Sequence, residues 1–138
     1  MRVLFDTDVV LDVLLQRAGF VQEAVALFDA HARGEIQAHI SAITPVNVFY
    51  IARKSLGQVP LRHAIEQLLL TVTVCPMDAR SLRDALALPM ADFEDATQVA
   101  CALRAGLDAI VTRNLSDYQN SPLPAYSPAQ LLARLAQP

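Results

Sequence analysis

The sequence predicts a three-layer α/β/α fold with a mostly parallel central sheet, and three observations carry that expectation. Short apolar runs of strand length alternate with amphipathic stretches long enough to cross over as helices, which implies a sheet covered on both faces. The 138 residues suit one domain, 1–138, whose core can be buried without disulfides or metal staples. The composition, 54% hydrophobic and 18% charged, belongs to a globule and excludes a disordered chain.

Each element has its own signal. Val3-Leu4-Phe5, closed by Asp6, reads as a buried strand. Residues 8–16 place Val9, Val10, Val13 and Leu14 at helical spacing, with Asp8 as the expected N-cap. Apolar residues recur over 20–33, from Val21 to Phe28, and Gly34 stops that helix. The alternation from Ile36 to Ile40 predicts a strand. A third helix is expected from Thr44-Pro45, with Pro45 at its first position and Gly57 closing it. Pro60 opens a fourth over 61–70, ahead of the β-branched run Thr71-Val72-Thr73-Val74. Residues 78–88 predict a helix capped by Asp78. Asp92-Phe93-Glu94-Asp95 leads into another, terminated by Gly106, and 108–112 predicts a strand. Residues 113–118 read as a polar turn and 120–122 as a loop, and Ser127-Pro128 begins the last helix.

Several function classes are excluded. No apolar run reaches the roughly 18 residues that span a bilayer. The opening Arg2-Val3-Leu4-Phe5-Asp6 lacks the apolar region of a signal peptide. Cys75 and Cys101 show no CxxC spacing, so buried free thiols in a reducing, cytoplasmic setting are expected. The net charge of −3 is no electrostatic footprint for nucleic acid.

The acids are placed by the framework. Ligands of open parallel sheets bind outside the carboxyl ends of the strands. Asp6 follows the first strand, and Asn114 and Asp117 follow the strand that ends at Thr112. Asp92 and Asp95 begin the helix that runs back to that second strand, and Asn47 lies one turn inside the helix after 36–40. Four segments therefore bring oxygen ligands to one edge. Carboxylates without paired His or Cys favour a hard cation, Mg²⁺ or Mn²⁺. A divalent ion also relieves repulsion among the acids and attracts a phosphodiester, so an acidic chain needs only scattered Arg53, Lys54, Arg80 and Arg113 to steer a backbone.

Ordinary explanations compete at several positions. Asp8 serves as a helix cap, Asp92 caps the helix 93–105, and Glu94 faces solvent as a partner of that helix's dipole. For Asp12 a structural hydrogen bond or solvent exposure competes evenly with function, and a turn Asp such as Asp117 is common without chemistry. His31, His39 and His63 are scattered over three segments. Asp95 resists such an account, because Val99 and Ala102 share its helix face and a carboxylate there needs a partner.

Four blocks carry a family resemblance. Val-Leu-Phe-Asp-Thr-Asp-Val-Val-Leu-Asp-Val-Leu-Leu at 3–15 resembles the opening of the PIN domain family, the VapC-type ribonuclease toxins. Residues 40–54, 92–102 and 109–118 are similar to its second, third and fourth blocks, in order and at the right spacing. The resemblance implies a PIN-like fold and a metal-dependent endoribonuclease acting on RNA. It further implies a homodimer inhibited by a small antitoxin. Asp6, Asp95 and Asp117 match family carboxylates that hold Mg²⁺ or Mn²⁺, with Thr112 and Asn114 orienting ligands or water. The pattern departs at Asn47, where many members have Glu; Asn can coordinate but adds no charge. Asp8 stands where Asn is common and returns a charge.

Two other readings compete. A PIN-fold binding or regulatory module with weakened catalysis is suggested by Asn47. A haloacid-dehalogenase-like phosphatase is suggested by Phe-Asp-Thr-Asp-Val-Val at 5–10, but its required lysine is out of order, Lys54 being the only one.

Overall fold

In the computed structural model, which describes residues 1–138, strands and helices alternate as the patterning predicts. β1 (Arg2–Phe5) leads into α1 (Thr7–Leu14) and α2 (Val21–Ala32). β2 (Gln37–Ser41) is followed by α3 (Thr44–Ala52) and α4 (Gln58–Thr71). β3 (Thr73–Cys75) is followed by α5 (Ala79–Leu86) and α6 (Phe93–Arg104). β4 (Ala109–Val111) passes through a 3-10 turn (Leu115–Tyr118) to β5 (Ala125–Tyr126) and α7 (Pro128–Leu135).

The strands make one sheet in the order β3-β2-β1-β4-β5, and every pairing is parallel. From β1 the chain steps outward through β2 to β3, then returns to the other side of β1 with β4. The crevice between the carboxyl ends of β1 and β4 is therefore the topological switch point, where open α/β sheets bind ligands.

Alternation along β1 separates the two faces. Val3 and Phe5 join one core with Val9, Leu11 and Leu27, whereas Leu4 joins the other with Val99, Ile110 and Tyr118. Phe5 meets Phe28 of α2 edge-on, with ring centroids 5.2 Å apart. The α1, α2 and α7 side thus covers one face of the sheet and α6 covers the other, with α5 packed against α6. No helix is long and apolar enough to cross a membrane.

Three local expectations need correction. The N-cap of α1 is Asp6 rather than Asp8, because the chain turns helical one residue earlier, at Thr7. Gly57 does not close α3, which ends at Ala52; its extended backbone makes it the N-cap of α4. Because α3 begins at Thr44, Pro45 occupies its second position. The strand β5 had no sequence signal, being two residues long. Gly34 and Gly106 follow α2 and α6 in the left-handed region, at φ 77° and 70°, where a side chain would be strained.

Candidate metal centre

β1 carries Asp6 to the switch point. Its N–H still belongs to the sheet, donating to Val111 O at 2.9 Å, while its carboxylate starts α1. Oδ1 accepts from the Thr7 N–H at 2.8 Å and from Gln98 Nε2 at 2.7 Å, and Oδ2 accepts from Thr112 Oγ1 at 2.8 Å. Gln98 is 0% exposed, and its Oε1 accepts from Ser41 Oγ at 3.3 Å and more weakly from Thr44 Oγ1 at 3.5 Å. One carboxylate is thus gripped from α6 and from the end of β4, with β2 and α3 buttressing the grip through Gln98. Burial raises the Asp6 pKa, against the lowering effect of the three hydrogen bonds and with a further push from the Asp8 charge.

The neighbouring acids come from α6. Asp92 caps the helix, its Oδ1 accepting from the Asp95 N–H at 2.9 Å. Asp95 is held by Tyr118, whose Oη donates to Oδ1 at 3.1 Å. Burial and then the charges of Asp6 and Asp92 push the Asp95 pKa up to about 7; the Tyr118 hydrogen bond opposes this, and Asp117 adds to it. Burial first, then Asp6 and Asp95, raises the Tyr118 pKa, so the phenol keeps its proton and remains a donor. Glu94 is exposed in the first turn of α6, as expected, and also accepts from Asn47 Nδ2 at 2.8 Å. Its pKa is raised by burial, then by Asp92, Asp6 and Asp8.

These groups surround a cavity of about 350 Å³. Asp6, Asp8, Glu94 and Asp95 give it four carboxylates, Asn47 and Asn114 give amides, and no arginine or lysine lines it. Thr7 lines it too, and its buried hydroxyl has no hydrogen-bond partner. Asp8 is bound to Asn114 Nδ2 at 3.1 Å and to Arg17 at 3.1 Å.

Other predicted residues lie elsewhere. Asp92 and Asp117 line an adjacent depression of about 140 Å³, although Asp117 still bears electrostatically on Asp95. Thr112 sits behind Asp6 and accepts the Asn114 N–H at 3.0 Å. Arg53 is exposed, with its guanidinium 4.1 Å above the Tyr50 ring at the cavity's rim, and Lys54 is exposed beside it. Arg113 is committed inward. Its Nη2 donates to Asp12 Oδ1 at 3.1 Å, and its Nε lies 2.8 Å from Oδ2 at an angle that makes no hydrogen bond. Its guanidinium also stacks on Phe20 at 3.8 Å. A nucleic-acid contact expected of Arg113 therefore conflicts with its partners.

Sequence reasoning missed Glu94, Gln98, Tyr118 and Thr7. The available signal for Gln98 was a long amide among Ala96, Val99 and Ala100, on a helix face otherwise built to be buried.

The donor set suits a hard divalent ion, since every available donor is oxygen and the acids repel one another. No three acids are gathered closely enough to close a coordination shell unaided. The fit rests on donor chemistry, on acids pushed toward protonation by burial and then by one another's charge, and on the partnerless Thr7 hydroxyl.

The sequence model described as "PIN domain" matches residues 2–116. No curated protein matches the chain in sequence. Among solved structures, VapBC2 from Rickettsia felis, bound to a promoter DNA fragment, is similar at a TM-score of 0.73 and 14% identity, over 92% of this chain and 98% of that one. A toxin–antitoxin complex from Klebsiella pneumoniae is similar at 0.69 and 23%, over 91% and 97%. VapC20 of Mycobacterium tuberculosis, a toxin that cleaves the sarcin-ricin loop, is similar at 0.63 and 15%, over 78% and 86%. At these identities the likeness is one of fold.

Proposed function

Because this chain belongs to the PIN domain family, we propose that it is a metal-dependent endoribonuclease and the toxin of a toxin–antitoxin pair. The observation that carries the reading is the cavity at the switch point, with four carboxylates and no lining arginine or lysine. Asp6 and Asp95, joined by Asp117 from the adjacent depression, are the residues that hold Mg²⁺ or Mn²⁺. The ion supplies Lewis acidity toward a phosphodiester and a lowered pKa for water.

The chain's own groups do the positioning. Three donors immobilise Asp6, so the carboxylate needs little reorganisation to bind. Tyr118, protonated, holds Asp95 through Oδ1. Exposed Tyr50 with Arg53 stacked on it, and Lys54 next in the chain, offer a base-stacking and backbone-steering rim for single-stranded RNA. Arg80, exposed at the start of α5, is a more distant steering charge.

Residues 1–138 act in this reading as one domain, working as a homodimer. An apolar cleft of about 170 Å³ among Val10, Leu14, Phe28, Val48, Ile65 and Leu68 is receptive to an apolar segment of a small antitoxin.

The test is Mn²⁺-dependent cleavage of mixed RNAs by wild type and by Asp6→Asn. Asp6→Asn is expected to lower the rate by about 10³-fold, equivalent to ~4 kcal/mol of transition-state stabilisation. The absence of position 47's usual carboxylate favours one competing reading, a binding module with weakened catalysis. Mn²⁺ binding that depends on Asp6, with no RNA cleavage by wild type, would establish that module instead. A covalent phospho-Asp6 would point to the phosphatase.

A further inference from the structure

We propose that Glu94 supplies the metal-facing carboxylate that position 47 lacks, and that Asn47 is the residue positioning it. The inference rests on the reading of the cavity as a divalent-cation site.

α3 presents position 47 to the cavity, and the resemblance puts Glu there in many family members. The chain's Asn keeps an oxygen donor in place but removes the charge. The charge returns from the opposite wall. Asn47 Nδ2 donates to Glu94 Oε1 at 2.8 Å, a contact that joins α3 to α6 across 47 residues of sequence. The amide therefore orients a carboxylate at the place where it would otherwise have been one. Relocating the acid from α3 to α6 keeps four carboxylates on the cavity.

Glu94 is an exposed first-turn acid of α6 whose carboxylate is held by the Asn47 amide. It forms no ion pair with an arginine or lysine, unlike Asp8, Asp12 and Asp78. An acid at the second position of a helix ordinarily interacts with the dipole in water. Glu94 holds that exposed position and in addition lines one concavity with Asp6, Asp8 and Asp95, an arrangement whose repulsion a cation relieves. The buried, partnerless hydroxyl of Thr7 in the same wall is an independent mark of a site that expects a polar ligand.

The experiment measures Mn²⁺ affinity calorimetrically on the full chain for wild type, Asp6→Asn, Glu94→Gln, Asn47→Glu and the double variant Asn47→Glu/Glu94→Gln. Wild type binds and Asp6→Asn does not. Glu94→Gln, isosteric and on the surface, weakens binding at least about tenfold. Asn47→Glu alone gains nothing, because its new carboxylate crowds Glu94 and removes the amide that held it. The double variant recovers to within about threefold of wild type, which also reports that the variants fold. As a positioning test, Asn47→Leu lowers affinity about threefold while leaving thermal melting in EDTA unchanged.

If wild type binds Mn²⁺ and Glu94→Gln binds it equally well, Glu94 is idle and this inference fails while the cation site stands. If Asn47→Glu alone tightens binding, position 47 is simply degenerate and the inference fails as well. If wild type binds no Mn²⁺, the cation reading itself is overturned.

Discussion

α1 begins at one carboxylate and buries another, and the two are treated in opposite ways. Asp12, 1% exposed, faces two guanidiniums, Arg113 with Nε at 2.8 Å and Arg17 at 3.5 Å. Asp6, 7% exposed, is met only by neutral donors, and the acids beside it are Asp8, Glu94 and Asp95. Burying an unpaired charge is expensive, so an acid wanted only for architecture is neutralised by the chain itself. An acid left with neutral donors and acidic neighbours is held ready for a charge from outside. The contrast within a few turns of one helix separates structural acids from functional ones better than burial does, since both are buried.

The largest expected break in the comparison is at the neutralised acid. Arg113→Ala leaves Asp12 buried with only the longer Arg17 contact, and removing one partner of a buried pair costs about 3 kcal/mol. Thermal melting should fall by about 10 °C, and Mn²⁺ should not restore it, because Asp12, the carboxylate left unpaired, is not among the residues lining the cavity. A fall of less than about 2 °C would show that Asp12 does not depend on its arginines and would remove the contrast.

The contrast also explains what could be read in advance. The parallel sheet and the crowding of acids at one edge follow from local pattern: an apolar run closed by Asp6, an Asp92 cap, and glycines after α2 and α6. Which acid meets which partner does not follow, because it depends on how α6 is rotated against the sheet. Glu94 and Asp95 are adjacent in sequence, yet one reaches Asn47 of α3 and the other reaches Tyr118 of the 3-10 turn. Arg113 looked like a free cation after a strand, and only the return of β4 beside α1 commits it to Asp12. Gly57 misled because glycine serves both ends of helices, and its backbone here is extended rather than left-handed.

A smaller effect sharpens the other side. With no cation present, Asp95 has its pKa raised from 3.8 to about 7, so the folded state holds a proton that the unfolded chain has released. The stabilising contribution of that raised group is fully present below pH ~4 and is lost as pH rises through ~7. Asp95→Asn, which cannot ionise, should therefore be more stable than wild type at pH 8 in EDTA. Discounted for the half-exposed position, the gain is about 1 kcal/mol, or ~3 °C in melting temperature. The difference should vanish near pH 4. Adding Mn²⁺ should reverse it, raising wild type above the variant. A variant less stable than wild type at pH 8 in EDTA would mean that the Tyr118 hydrogen bond outweighs repulsion and burial.

The smallest effect tests the boundary between the two regions. Arg17 Nη1 is shared, lying 3.1 Å from cavity-lining Asp8 and 3.5 Å from buried Asp12. Arg17 is 30% exposed, so Arg17→Ala should cost only about 0.5 kcal/mol, near 2 °C, with Arg113 still covering Asp12. The same substitution removes a positive charge beside the cavity and leaves Asp8 to Asn114 and to Arg113, whose Nη2 lies at the longer distance of 4.0 Å. Mn²⁺ affinity should then rise about twofold, and the gain should shrink in high salt, as an interaction across a partly solvated gap must. An affinity that did not move would place Asp8 with Asp12 among the acids the chain neutralises for itself. The carboxylates lining the cavity that await a cation would then narrow to Asp6, Glu94 and Asp95, with Asp117 beside them.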